Sequence, residues 1–142
     1  MIIPDANLLI YSYDNTAPRH TAVRRWWEAT LSGDEPVGIP LVVLLAFVRL
    51  MTHPTFSDNP MTAAQVHARV ASWLAVDGVT LLSPTRTTIN RMFQLLEQAG
   101  VGGNLTTDAL IAAHALETGA RVATNDADLS RFPGVRCENP LV

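Results

Sequence analysis

The feature that most limits what this chain can fold into is its alternation of short apolar runs with longer segments of helical periodicity. The first run, Ile2-Ile3-Pro4, ends on a carboxylate, Asp5, and is followed by Ala6, Asn7, Leu8 and Leu9. Strand, acidic tip and helix start is the economical reading. Residues 37–39, 79–82, 121–124 and 135–137 are further strand candidates. Between them, residues 20–31 place Val23, Trp26, Trp27 and Leu31 near helical spacing, and the segment after Pro40 carries Leu41, Leu44, Leu45 and Val48 on one stripe. Residues 55–61 read as a loop. Thr62 with Gln65 fits a capping box that opens the next helix. A helix over residues 85–99 stops at Gly100, and Thr106 caps another that ends before Gly119. This order predicts an α/β fold in three layers, with a mainly parallel central sheet flanked by helices. One domain over residues 1–142 is expected.

Composition removes several classes of chemistry. All ten basic residues among the 142 are Arg, so a mechanism needing a catalytic Lys is excluded. Net charge is −3, so the chain as a whole does not attract nucleic acid, and an RNA-binding role would need a local Arg patch. The single cysteine, Cys137, permits no internal disulfide and suits a reducing cytoplasm. No signal peptide is expected, because no basic region precedes the first apolar residues. The most apolar stretch, residues 39–51, is interrupted by Arg49 and is too short to cross a bilayer.

The acidic residues fall in a shared context. Asp5 follows the first strand, Asp126 and Asp128 follow the fourth, and Asp108 sits in the first turn of the helix near Thr106. Strand ends and helix starts share one face of a parallel α/β sheet, so these carboxylates can project into one crevice. Two like charges about 4 Å apart repel by about 4 kcal/mol at an effective dielectric of about 20. Such a cluster therefore calls for protons or a hard divalent cation. Its oxygen donors, with no Cys or His at metal-ligand spacing, favour Mg²⁺ or Mn²⁺ over Zn²⁺. That set suits phosphodiester hydrolysis. Each acid also has a purely structural reading: Asp5 as a helix cap, Asp108 as a partner of the helix dipole, Asp126 and Asp128 as turn residues. Their joint placement at one edge outweighs these separate readings.

Three segments also resemble a known family. Residues 2–9 (IIPDANLL), 104–113 (NLTTDALIAA) and 123–129 (ATNDADL) resemble the PIN domain, and within it the VapC toxins of bacterial toxin–antitoxin modules. Residues 47–54 (FVRLMTHP) and 131–135 (RFPGV) resemble one VapC subgroup common in mycobacteria. The resemblance implies a Mg²⁺- or Mn²⁺-dependent endoribonuclease that forms a homodimer and is held inactive by a cognate VapB antitoxin. It implies Asp5 and Asp108 as the main metal ligands, Asp126 as a further acid and Asp128 as a weaker fourth. Thr124 and Asn7 would be polar neighbours that position water or phosphate.

One departure stands out. The family often carries Glu just before the Phe-x-Arg of its second long helix, and here that position is Ala46. Glu28 and Glu35 lie too early in the chain to replace it. A protein that binds antitoxin or RNA but cleaves poorly is the alternative this raises. A phosphoryl-accepting receiver domain is disfavoured by the missing Lys, and a dinucleotide-binding fold by the lack of a glycine-rich loop after the first strand. Arg49 reads slightly better as a partner of a buried carboxylate than as a phosphate contact. Arg19, Arg24 and Arg25 read as a solvated helical face before a phosphate patch. One of Trp26 and Trp27 belongs in the core; His114 reads as packed or surface, and His53 as a helix-end residue.

Overall fold

A computed structural model describes residues 1–56 and 60–142. Residues 57–59, within the loop expected over 55–61, lie outside the described residues. Among the described residues five strands, β1 (Ile2–Pro4), β2 (Val37–Pro40), β3 (Val79–Leu82), β4 (Arg121–Ala123) and β5 (Arg136–Glu138), form one sheet in the order β3-β2-β1-β4-β5. Every pairing is parallel, with Ile2 opposite both Val37 and Arg121, and Val122 opposite Cys137. The sheet is thus fully parallel among the described strands. The expected fourth strand ends one residue early, at Ala123, and the fifth is shifted by one residue, to Arg136–Glu138.

Among the described residues six helices connect and cover the strands: α1 (Ala6–Tyr13), α2 (His20–Ser32), α3 (Leu41–Met51), α4 (Ala63–Leu74), α5 (Arg86–Ala99) and α6 (Thr106–Thr118). Parallel strands need such crossovers, which explains the regular alternation in the sequence. Buried on both faces, β1 and β2 show no polar alternation: Ile2, Ile3, Val37 and Ile39 are all in the core. Tyr13, Trp27, Phe47 and Trp73 pack together where α1, α2, α3 and α4 meet, with ring centroids 4.8–5.8 Å apart. Trp73 Nε1–H donates to Tyr13 Oη at 2.8 Å. Trp27 is the buried member of its pair, whereas Trp26 is only partly covered.

Local signals account for most helix ends. The Thr62–Gln65 capping box forms in both directions, and Thr85 with Thr88 makes a second one. Gly100 and Gly119 end α5 and α6 with φ of 64° and 67°, the left-handed conformation that glycine adopts without a steric cost. Thr106 is not the expected cap. A 3₁₀ turn over Gly103–Leu105 runs straight into α6, so Thr106 is already helical and Leu105 occupies the cap position with no side-chain bond. Pro18 lies before α2, which begins at His20. Among the described residues no helix is long and apolar enough to cross a membrane.

Candidate functional site

The chain lays β1, β2 and β3 outward in one direction and then returns to place β4 on the other side of β1. The C-terminal ends of β1 and β4 therefore flank a topological switch point, where an open α/β sheet leaves a crevice. Asp5 leaves β1 there and Thr124 leaves β4. Asp5 N–H still donates to Ala123 O at 2.9 Å, which fixes the acid against the neighbouring strand.

Asp5 is buried and both of its oxygens are engaged. Oδ1 accepts from Ala6 N–H at 2.7 Å and caps α1. Oδ2 accepts from the Thr124 hydroxyl at 2.8 Å. The capping reading of Asp5 thus holds, at the C-terminal end of β1. Burial raises its pKa above the ordinary carboxylate range, the bonds from Thr124 and Ala6 oppose that rise, and the charge on Asp126 adds to it.

Thr124 extends the arrangement. Its Oγ1 accepts from Asp126 N–H at 3.0 Å, and Asp126 Oδ1 accepts from Asp128 N–H at 2.9 Å. A relay thus runs Asp5, Thr124, Asp126, Asp128. Asp126 caps the short 3₁₀ turn over Ala127–Arg131, so its turn role is also real. Asp128 lies 3.8 Å from the Arg131 guanidinium. Asp108, in the first turn of α6, is only partly buried, and its pKa is pushed up to about 6. Desolvation is the largest cause, followed by repulsion from Asp5, Asp126 and Asp128. Asp5, Asp126 and Asp128 thus all lie close enough for their charge to act on Asp108. Among the described residues, no three His, Cys, Asp or Glu side chains stand close enough together to hold an ion as they are placed. The donor chemistry fits a hard divalent cation: carboxylate oxygens only, with Asp5 among them buried.

Other acids fall elsewhere. Glu35 binds Arg121 at the opposite end of the sheet, with Nη2 donating to Oε1 at 2.7 Å and Nη1 bonded to Oε2. Glu28 pairs with Arg24 at 3.0 Å on the exposed face of α2. Neither replaces a carboxylate at position 46. Ala46 lines a cavity of about 270 Å³ with Val42, Leu45, Arg49 and Thr107, next to Asp108 in sequence. Arg49 makes no ion pair among the described residues, contrary to the pairing its sequence context suggests; it borders this cavity instead. His114 is buried, its pKa is lowered by desolvation, and its Nε2 has no partner, so it is a packed residue. His53 follows α3, where its Nδ1 accepts from Thr55 N–H at 3.1 Å. Asn7 makes no side-chain hydrogen bond among the described residues. Asn125, next to Asp126 in the ATNDADL segment, and Asn139, just past β5 and not singled out from the sequence, line one cavity.

The PIN domain model matches residues 2–135. The chain is 39% identical over 140 residues to Ribonuclease VapC37 of Mycobacterium tuberculosis (strain ATCC 25618 / H37Rv), covering 99% of this chain and 97% of that protein. It is 33% identical over 141 residues to Ribonuclease VapC33 of the same strain, covering 99% of each. In fold it is similar to a chain in the crystal structure of VapBC2 from Rickettsia felis bound to a DNA fragment from their promoter. There the TM-score is 0.68 and the identity 22%, over 98% of both chains.

Proposed function

From the premise that this chain belongs to the PIN-domain family and to its VapC ribonucleases, we propose that it is the toxin of a type II toxin–antitoxin module, an endoribonuclease that hydrolyses RNA phosphodiester bonds with Mg²⁺ or Mn²⁺. The observation that carries the site assignment is the hydrogen-bonded run from Asp5 through Thr124 to Asp126 at the ends of β1 and β4, with Asp108 in the first turn of α6. In this reading Asp5 and Asp108 hold the ion, Asp126 assists, and Asp128 stands at the rim. When bound, a divalent ion there supplies stabilisation of charge at phosphorus and a more acidic water.

The chain's own residues do the rest. Thr124 holds the Asp5 carboxylate in one orientation by donating to Oδ2, which leaves that oxygen one further lone pair for an ion. The same hydroxyl accepts from Asp126 N–H, so one side chain sets two acids. With its pKa near neutrality, Asp108 can accept a proton when no ion is present. We further infer a homodimer that works in the cytoplasm and is held inactive by a VapB-type antitoxin.

Ala46 favours one alternative, a domain that binds antitoxin or RNA and cleaves weakly. Sequencing of RNA ends after induced expression separates the two. The ribonuclease reading expects new ends at a small set of sites, lost in an Asp108→Asn strain. An unchanged set of ends in both strains contradicts it.

A further inference from the structure

Beside the acids, the same sheet edge opens into a second cavity of about 370 Å³, lined by Tyr11, Pro18, Arg19, Asn125, Asn139 and Leu141. Its walls come from α1, from the turn into α2, and from the segments leaving β4 and β5. Asn125 lies between Thr124, which bonds Asp5, and Asp126. The cavity and the acid cluster therefore share a wall.

The lining is chemically distinctive. It holds no acid, although the neighbouring crevice holds four. Arg19 is its one charged residue, and among the described residues no carboxylate pairs with it. The guanidinium donates from Nη1 to Leu141 O at 3.1 Å, which fixes its position and leaves most of its five donors free. Asn139 Oδ1 accepts from Leu141 N–H at 3.0 Å, so its amide NH₂ remains available. Arg19 is also the one non-glycine residue among those described with positive φ, at 64°. That conformation costs about 1–2 kcal/mol in a residue with a Cβ. Gly would relieve it.

We propose that this cavity receives a nucleotide of single-stranded RNA adjoining the bond that is cut, a subsite that rests on the ribonuclease reading. Arg19 takes the phosphate, since a guanidinium matches its oxygens in a bidentate way. Asn125 and Asn139 meet the base edge with donors and acceptors, and the Tyr11 ring offers a stacking surface. The volume falls in the range of about 300–1,000 Å³ usual for small-ligand sites, enough for one nucleotide. Arg19 here is a positioning residue: it holds substrate beside the acids and takes no part in bond cleavage.

The test uses full-length protein carrying Asp5→Asn, so that RNA is bound without being cut. Fluorescence anisotropy with a labelled single-stranded RNA pool compares this protein with the same protein carrying Arg19→Gln, Arg19→Gly or Arg19→Lys. Binding is expected to weaken about tenfold for Gln and Gly. The slope of log affinity against log salt is expected to fall by about 0.7, and Lys to recover part of the loss. Arg19→Gly relieves the left-handed backbone, so its loss of binding without loss of thermal stability separates recognition from folding. In ¹⁵N-labelled Asp5→Asn protein, adenosine 5′-monophosphate is expected to shift the amides of Tyr11, Asn125 and Asn139. Equal RNA affinity with and without Arg19, while the unmodified protein still cleaves RNA, overturns the subsite and leaves the ribonuclease reading standing. No RNA binding and no cleavage by any form overturns both.

Discussion

The Thr124 hydroxyl donates to Asp5 Oδ2 at 2.8 Å, joining residues 119 apart in the chain across the switch point between β1 and β4. Both side chains are buried, and the same Thr124 oxygen accepts from Asp126 N–H. Replacing Thr124 with Val keeps the shape and removes donor and acceptor together. A buried carboxylate that loses its partner costs about 1–3 kcal/mol. Thr124→Val is therefore expected to lower the urea midpoint and to reduce RNA cleavage at least tenfold, whereas Thr124→Ser keeps most of both. Parallel denaturation and cleavage assays check this.

Asp108 gives a pH-dependent signature. Its pKa rises from 3.8 unfolded to about 6 folded, so the folded state disfavours the charged form. The penalty is absent below the unfolded value, grows between pH 4 and 6, and is complete above that window. Asp108→Asn removes it. Because the side chain is half exposed, screening reduces the effect to about 1 kcal/mol. Without divalent ions, the variant is expected to be more stable than the parent at pH 7.5 and equal to it at pH 4. Mg²⁺ is expected to stabilise the parent and to leave the variant nearly unchanged. Chemical denaturation at the two pH values, with and without Mg²⁺, measures all of this.

At the other end of the sheet, Arg121 joins Glu35 and Glu138, its Nε donating to Glu138 Oε2 at 2.8 Å. Glu35 also lies 3.8 Å from the N-terminal amine, and its pKa is lowered, chiefly by the bond from Arg121. The stabilisation is present above the unfolded value of 4.5 and is lost as pH falls through the lower folded value. Exposed pairs contribute little each, so Arg121→Ala is expected to cost about 1 kcal/mol at pH 7. Cleavage per folded molecule should be unchanged, since this network is remote from the acids. A cleavage loss larger than the folded fraction explains would implicate Glu35 in the chemistry.

Ala46 allows a test by gain. It lies on α3, which packs against α6, and shares its cavity with Thr107, the neighbour of Asp108. Ala46→Glu is expected to fit without disturbing the core, to tighten Mg²⁺ binding several-fold in calorimetry, and to raise cleavage at limiting Mg²⁺. Unchanged Mg²⁺ affinity would place position 46 outside the ion's reach.

The parts of this fold set by local chemistry were legible in the sequence. Apolar strands capped by Asp5 and by the Thr124–Asp128 segment, the Thr62 capping box, and Gly100 and Gly119 at helix ends each carry their signal within a few residues. The strand order was not legible locally, because it depends on β4 returning to the far side of β1. With it were hidden the Thr124–Asp5 bond, the Arg121–Glu35 pair 86 residues apart, and the cavity that brings Arg19 to Asn125 and Asn139. Thr106 failed as a cap because the preceding 3₁₀ turn already supplies helical geometry, which a capping residue must not have. Arg49 stands on an apolar stripe, where a buried ion pair is the expected remedy. It instead reaches the rim of a cavity.

The central claim is that Asp5 helps hold a divalent ion that cuts RNA. Its most direct test is cleavage of RNA by the purified protein in Mg²⁺ or Mn²⁺, beside Asp5→Asn, each with and without EDTA. The account predicts cleavage by the unmodified protein that EDTA abolishes and none by the variant. Equal cleavage by both proteins, or cleavage that survives EDTA, would contradict it.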